Sequence, residues 1–278
     1  GDPLYRCVLE RYIHMATDQG VTQAVFPEGG LSRDGLLRTP KLGIIDYMLR
    51  DHDFDSGRDI VFVPVGLNYD RTLEDRTLLQ SLNPERPRRS RWYIIKTTLG
   101  FMRQNIRLMA QSRWRRFGFA SVHFSNPISM KDYCKKHDVL FNQLDTQERF
   151  NKVSLLGDQT MEQIGAAIPV LPIPLLAYVL VHSGRHLNTL EWLADAKELL
   201  EVLDQRGAVI AFPPRTRIFA LEYAIDMLTL RHLIDSTDDG KHRITKGNRS
   251  VLEYYSNSIA HWLDDNALDK LNRKAANS

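Results

Sequence analysis

The segment Phe26-Pro27-Glu28-Gly29-Gly30-Leu31-Ser32-Arg33-Asp34-Gly35 gathers groups suited to holding an anion. Gly29 and Gly30 carry no Cβ, so their backbone amides can approach a bound oxyanion closely. Ser32 offers a hydroxyl and Arg33 a forked cation, a pair that suits a phosphate monoester. Glu28 falls at the end of an expected strand, where a carboxylate can orient its neighbours. The same residues also read as a tight strand-to-helix connection, and the segment alone leaves both readings open. It is not a Walker loop, because no Gly-Lys is followed by Ser or Thr anywhere in the chain. Nor is it a dinucleotide fingerprint.

Other catalytic combinations are sparse. None of the nine histidines has an aspartate five positions on. His14 with Asp18 and His261 with Asp265 are spaced by four, which places each pair on one helix face and suggests surface pairs. Cys7 and Cys134 are too few for a disulfide framework or a four-thiolate zinc site. The first residues show no basic start followed by an apolar run, so no signal peptide is expected there.

The elements that must carry these groups change along the chain. Tyr5 to Gln19 reads as an amphipathic helix with Leu9, Tyr12, Ile13 and Ala16 at helical spacing. Gln23 to Phe26 reads as a short strand, and Ile44 to Arg50 as a helix. Asp59 to Leu67 is β-branched and apolar on both faces after its first residue, as a buried strand would be. Ala120 to Phe124 is a further strand, ending at Asn126-Pro127. Beyond it, helices are expected at Leu175 to Val181, Leu187 to Leu203, Phe219 to Ile234 and Val251 to Leu263. Strand signals there are few: Ala208 to Phe212 and Arg243 to Thr245. The expected class is α/β: a mixed sheet covered by helices over residues 1–160, then a mainly helical region over 161–278.

Composition is that of a globular protein, with 43% hydrophobic and 26% charged residues, which argues against wholesale disorder. The net charge of +3 says little about partners, but charge is unevenly spread. Ten basic residues and no acid lie between Arg86 and Arg116, interleaved with Trp92, Tyr93, Phe101 and Trp114. Such a block is suited to a polyanion, or forms a solvated face paired with acids elsewhere in the fold. Ala166 to Val181 is apolar throughout but shorter than the roughly 20 residues a spanning helix needs, and it holds Pro169, Pro172 and Pro174. It reads either as a buried loop leading into a core helix or as an interfacial dip into a membrane.

The motif from Phe26 to Gly35, with Pro40-Lys41-x-Gly43 after it, resembles the third sequence block of the glycerol-3-phosphate acyltransferase family. Val61-Phe62-Val63-Pro64-Val65-Gly66-Leu67-Asn68-Tyr69-Asp70 is similar to the fourth block. Val122 to Ser129 resembles the family's late strand ending in a proline turn, and Leu252 to His261 the Tyr-Tyr-x-Asn helix of its long bacterial and mitochondrial members. Two departures stand out. The family's catalytic histidine and aspartate, separated by four residues, have no counterpart here, nor does its Arg-rich second block; both would lie upstream in a longer enzyme. Leu31 occupies a position where long members usually carry arginine.

The resemblance implies transfer of a fatty acyl group from an acyl-coenzyme A or acyl-carrier-protein thioester to the sn-1 hydroxyl of glycerol 3-phosphate. Glu28, Gly29, Gly30, Ser32, Arg33 and Lys41 would hold the acceptor, and Pro64 with Tyr69 would shape the sheet edge beside the donor. The upstream histidine would be the general base, so no catalytic residue is expected in this chain and the chain alone should be inactive. No metal or resident cofactor is implied. An acyltransferase for dihydroxyacetone phosphate or a lysophospholipid, and a non-catalytic lipid or acyl-carrier binding module, are the competing expectations. Peripheral attachment to an anionic membrane surface on its cytoplasmic face is expected from the Arg86–Arg116 block. A nucleic-acid partner is not expected, since no recognised reading motif accompanies that block.

Overall fold

The computed structural model describes residues 2–54, 57–82 and 118–264. They are α/β, as expected, and helix predominates. The chain divides into two compact units. The first comprises Gly1–Ser32, Leu37–Leu67 and Val122–Ile168; the second comprises Arg33–Leu36, Asn68–Ser121 and Pro169–Ser278.

The first unit opens with helix α1 (Pro3–Asp18). Its start is set by Asp2, whose carboxylate accepts from the Leu4 amide at 2.9 Å, and by Pro3, which fits the first turn because it needs no intrahelical donor. Ile13 is buried and Leu9 packs beside it, but Tyr12, expected on the same inward face, is 69% exposed. Helix α2 (Gly43–Leu49) buries Ile45, Met48 and Leu49. No strand forms at Gln23 to Phe26: these residues have no ladder partner among the described residues.

The expected single strand from Asp59 to Leu67 is two strands, β1 (Val61–Phe62) and β2 (Val65–Tyr69). Pro64 interrupts it because it has no amide to donate; its carbonyl still accepts from Ser125 N at 2.9 Å. β2 pairs with β3 (Ala120–Phe124), and β1 pairs antiparallel with β4 (Ile128–Ser129). Among the described residues each ladder holds only two strands, so Val61, Val63 and Leu67 lie exposed rather than buried on both faces.

Asp59 ties β4 to helix α4 (Met130–His137), accepting from Ser129 Oγ at 2.7 Å and from Lys131 N at 3.0 Å. Helix α3 (Asp75–Gln80), which precedes it in the chain, belongs to the second unit. The first unit closes with α5 (Thr146–Ala167), whose N-terminus is capped by Asp145 accepting from Gln147 N and Glu148 N, each at 2.8 Å. Within this unit Arg149 Nε reaches Asp46 Oδ1 at 3.0 Å, tying α5 to α2.

The second unit is built round α6 (Pro172–His182). Every residue from Pro172 to Val181 is buried, so this run is the core of the second unit and not a membrane dip. Pro172 starts the helix instead of breaking it, because the first-turn amides lack intrahelical acceptors in any case. Around α6 pack α7 (Thr189–Gln205), α8 (Arg217–Leu230) and α9 (Arg249–Ala260). Asn188 and Glu191 form a reciprocal capping box on α7, and Trp192 Nε1 donates to the Leu176 carbonyl at 3.0 Å. Strands β5 (Ile234–Ser236) and β6 (His242–Ile244) make an antiparallel hairpin where the α8 pattern was expected to run on to Ile234. Ala208 to Phe212 forms only a single parallel bridge, Val170 with Ile210, and not a strand. No helix among the described residues is long and apolar enough to cross a membrane. The block from Arg86 to Arg116 lies outside the described residues.

Candidate functional site

The glycine motif is shared between the two units. Glu28, Gly29, Gly30, Ser32, Lys41 and Pro64 belong to the first, and Arg33 belongs to the second.

In the first unit the motif is a turn, not a strand end. Gly29 N donates to Phe26 O at 2.8 Å, and Lys41 N donates to Pro27 O at 2.7 Å. Gly29 adopts φ +74°, the left-handed region that glycine occupies without steric cost. The Lys41 side chain lies over Gly29: a Cβ built there would stand 2.4 Å from Lys41 Cδ and 2.7 Å from its Nζ. Gly29 and Lys41, expected to share a binding role, are therefore neighbours. Gly30 has open space where a Cβ would be. Glu28 and Ser32 are half-buried, and Leu31 is 67% exposed, so no packing accounts for a leucine there. Pro64 is buried in the break between β1 and β2.

In the second unit Arg33 is exposed at the head of a segment fastened to α9. Asn257 Nδ2 donates to Asp34 O at 2.8 Å across 223 positions of sequence. Asp34 Oδ1 accepts from Leu36 N at 3.2 Å, which closes the turn. Gly35, at φ +84°, passes so near α9 that a Cβ would meet the Tyr254 carbonyl oxygen at 2.0 Å. A backbone oxygen cannot give way as a side chain can, so the position requires glycine for space as well as for φ.

The same helix holds the end of β2. Asn68 Nδ2 donates to Pro169 O at 2.8 Å and to Ser258 Oγ at 3.2 Å. Tyr255 Oη accepts from Thr72 N at 3.1 Å and donates to Asp75 Oδ2 at 2.7 Å. Arg231 completes a buried cluster, donating to Tyr255 Oη at 3.1 Å and to the Asp75 carboxylate. Burial and the Asp75 charge push the Tyr255 phenol up, so it stays a neutral donor. Burial and the nearby Arg231 charge pull the half-buried Arg71 guanidinium down from its ordinary value.

Sequence reasoning missed Asp70. It is 1% exposed; Oδ1 accepts from Ile173 N at 2.8 Å, capping α6 from a distant segment, and Oδ2 accepts from Phe119 N at 2.9 Å. Burial raises its carboxyl to about 6, although both amide hydrogen bonds act the other way. A polar residue directly after an apolar strand was the available signal. The expected His14–Asp18 pair forms at 3.1 Å, and Asp18 also faces Nδ1 of the buried His52 at 3.2 Å; this second partner was not legible in the spacing. Among the described residues no group of histidine, cysteine or carboxylate side chains is placed to hold a metal ion.

This chain is similar to several curated glycerol-3-phosphate acyltransferases. A glycerol-3-phosphate acyltransferase of Pseudomonas fluorescens (strain Pf0-1) is 27% identical over 279 residues, covering 94% of this chain and 31% of its own length. Those of Ectopseudomonas mendocina (strain ymp) and Pseudomonas entomophila (strain L48) are each 26% identical over 275 residues, with the same coverage. The chain thus spans about a third of the length of the curated relatives it matches. The model of the family described as "Glycerol-3-phosphate acyltransferase C-terminal region" matches residues 103–269, more than half of the chain, and the chain belongs to that family.

Proposed function

We propose that this chain is part of an acyltransferase that moves a fatty acyl group from an acyl-coenzyme A or acyl-carrier-protein thioester to the sn-1 hydroxyl of glycerol 3-phosphate in phospholipid synthesis. The observation that carries this reading is the segment from Glu28 to Arg33 within a chain of this family: adjacent glycines in a tight turn, then Ser32 and an exposed Arg33. Backbone amides, a hydroxyl and a guanidinium are the donors a phosphate monoester needs, and charge-assisted bonds to it are the strong ones. Lys41, stacked over Gly29, adds a cation to that turn. Leu31 leaves one arginine in the motif, so Lys41 or the block from Arg86 to Arg116 would supply the remaining charge. Pro64 and Tyr69 would shape the sheet edge beside the thioester.

General-base catalysis contributes about 10²–10⁴-fold, and this chain offers no base at the family spacing. We therefore place the catalytic histidine and aspartate upstream of Gly1, with residues 1–160 the later part of the catalytic domain and 161–278 a helical C-terminal domain. The base would take the proton of the acceptor hydroxyl as it attacks the thioester carbonyl, so neither cysteine is needed as a nucleophile. Peripheral attachment to an anionic membrane through Arg86 to Arg116 belongs to the same proposal.

An acceptor panel tests it. Protein carrying this chain with its upstream residues should acylate glycerol 3-phosphate in preference to dihydroxyacetone phosphate and lysophospholipids, and the chain alone should not turn over. A preference for another acceptor would reassign the substrate. No turnover with the upstream histidine and aspartate present would favour a binding module.

A further inference from the structure

Helix α9 lies far from the glycine motif in sequence, yet within the second unit it makes three contacts with two separate segments. Asn257 holds Asp34 O at 2.8 Å, Ser258 lies 3.2 Å from Asn68 Nδ2, and Tyr255 receives Thr72 N at 3.1 Å. Two of these contacts hold the chain at the end of β2. The third holds the residue next to Arg33.

We infer that Asn257 is a positioning residue for Arg33, and that α9 sets where this guanidinium stands. The inference rests on the acceptor reading of Arg33 given above. Its physical basis is the way the turn is fixed. Arg33 is exposed and has a long side chain with about 2 kcal/mol of rotamer entropy, so its aim depends on how firmly its own backbone is held. On its C-terminal side that backbone is held by the Asn257 amide on Asp34 O and by the Gly35 backbone lying against the Tyr254 carbonyl. The Asp34 carboxylate on Leu36 N closes the turn locally. Loss of the Asn257 donor removes one of the ties between this turn and α9.

Asn257 is half-buried near the end of α9 and not in the core, so its replacement should spare the fold. Asn257→Ala and Asn257→Asp separate hydrogen bonding from packing: aspartate keeps the shape of asparagine but cannot donate to a carbonyl. In the full-length protein, both variants should raise the KM for glycerol 3-phosphate about fivefold to tenfold, the loss of one hydrogen bond, and leave the KM for the thioester within about twofold. Hydrogen exchange at the Gly35 and Leu36 amides should speed up in both. Arg33→Ala, measured beside them, should raise the same acceptor KM. If Arg33→Ala raises it and neither Asn257 variant does, the positioning role is wrong while the acceptor reading stands. If Arg33→Ala leaves the acceptor KM unchanged, the acceptor reading fails and the inference with it. Equal rises in both KM values for the Asn257 variants would show a general structural defect and overturn the positioning role.

Discussion

The two parts of the glycine motif are held in different ways. From Phe26 to Ser32 the chain carries a short-range turn and a bond to Lys41, 14 positions from Pro27, and the atoms nearest a Cβ at Gly29 belong to the flexible Lys41 side chain. From Arg33 to Leu36 it is tied to α9, 223 positions along at the Asp34–Asn257 contact, and Gly35 lies against a backbone carbonyl. At Gly29 the nearest neighbour is a side chain that can move. The second is fixed by a helix that is itself fixed to the α6 core. The second makes the C-terminal region a support for the motif, which gives a physical reason for the two to occur in one chain.

Breaking the support of α9 should have the largest effect. Arg231→Met leaves the Asp75 carboxylate, 4% exposed, without its cation beside Tyr255. Removing one member of a buried ion pair typically costs about 3–5 kcal/mol, so the urea midpoint should fall by that equivalent. A loss no larger than that of an exposed arginine would mean that the cluster does not hold α9.

Asp70 gives a pH signature of the same support. Its carboxyl rises from 3.8 to about 6 on folding, so the protonated form favours the fold. The contribution is fully present below about pH 4 and is lost as pH rises through about 6, a difference of about 3 kcal/mol. Asp70→Asn should remove this fall. The change in unfolding free energy between about pH 4.5 and about pH 7 should differ between wild type and variant by about 2 kcal/mol. Identical pH slopes would contradict the burial argument.

The glycines sharpen the comparison at smaller cost. Gly35→Ala meets a backbone oxygen at φ +84° and should lose about 2 kcal/mol or more; Gly29→Ala, where Lys41 can swing away, should lose about 1 kcal/mol, the cost of the left-handed conformation alone. Thermal unfolding of the two variants ranks them. The reverse order would place the firm contact in the wrong part of the motif.

What was legible in the sequence follows from what each signal depends on. Helices α1, α2, α6, α7 and α9 show as apolar periodicity or an apolar run, and their bounds lie within a few residues of expectation, since that pattern is written locally. Strands are less local. Gln23 to Phe26 has strand-like residues but no pairing partner among the described residues, and the run from Asp59 to Leu67 is cut where Pro64 cannot donate. Helix α5 was missed, although Asp145 with Glu148 is a readable start signal, because its buried face carries Gly157, Thr160 and Gly165 among the larger apolar residues. The candidate site was legible as a motif from Glu28 to Arg33 and Lys41. Its attachment to Asn257 and Tyr254 was not: both stand in a stretch that resembles the family, but no local pattern says which distant carbonyl or glycine they meet. The prediction for Arg86 to Arg116 concerns residues outside those described.

The central claim is that Arg33 holds the phosphate of the acceptor. The most direct test is to measure both substrate KM values for Arg33→Ala in the full-length enzyme. Loss of a charge-assisted hydrogen bond of about 1.5–3 kcal/mol should raise the KM for glycerol 3-phosphate by about one to two orders of magnitude, with the KM for the acyl thioester little changed. Equal changes in the two, or none in the first, would contradict the claim.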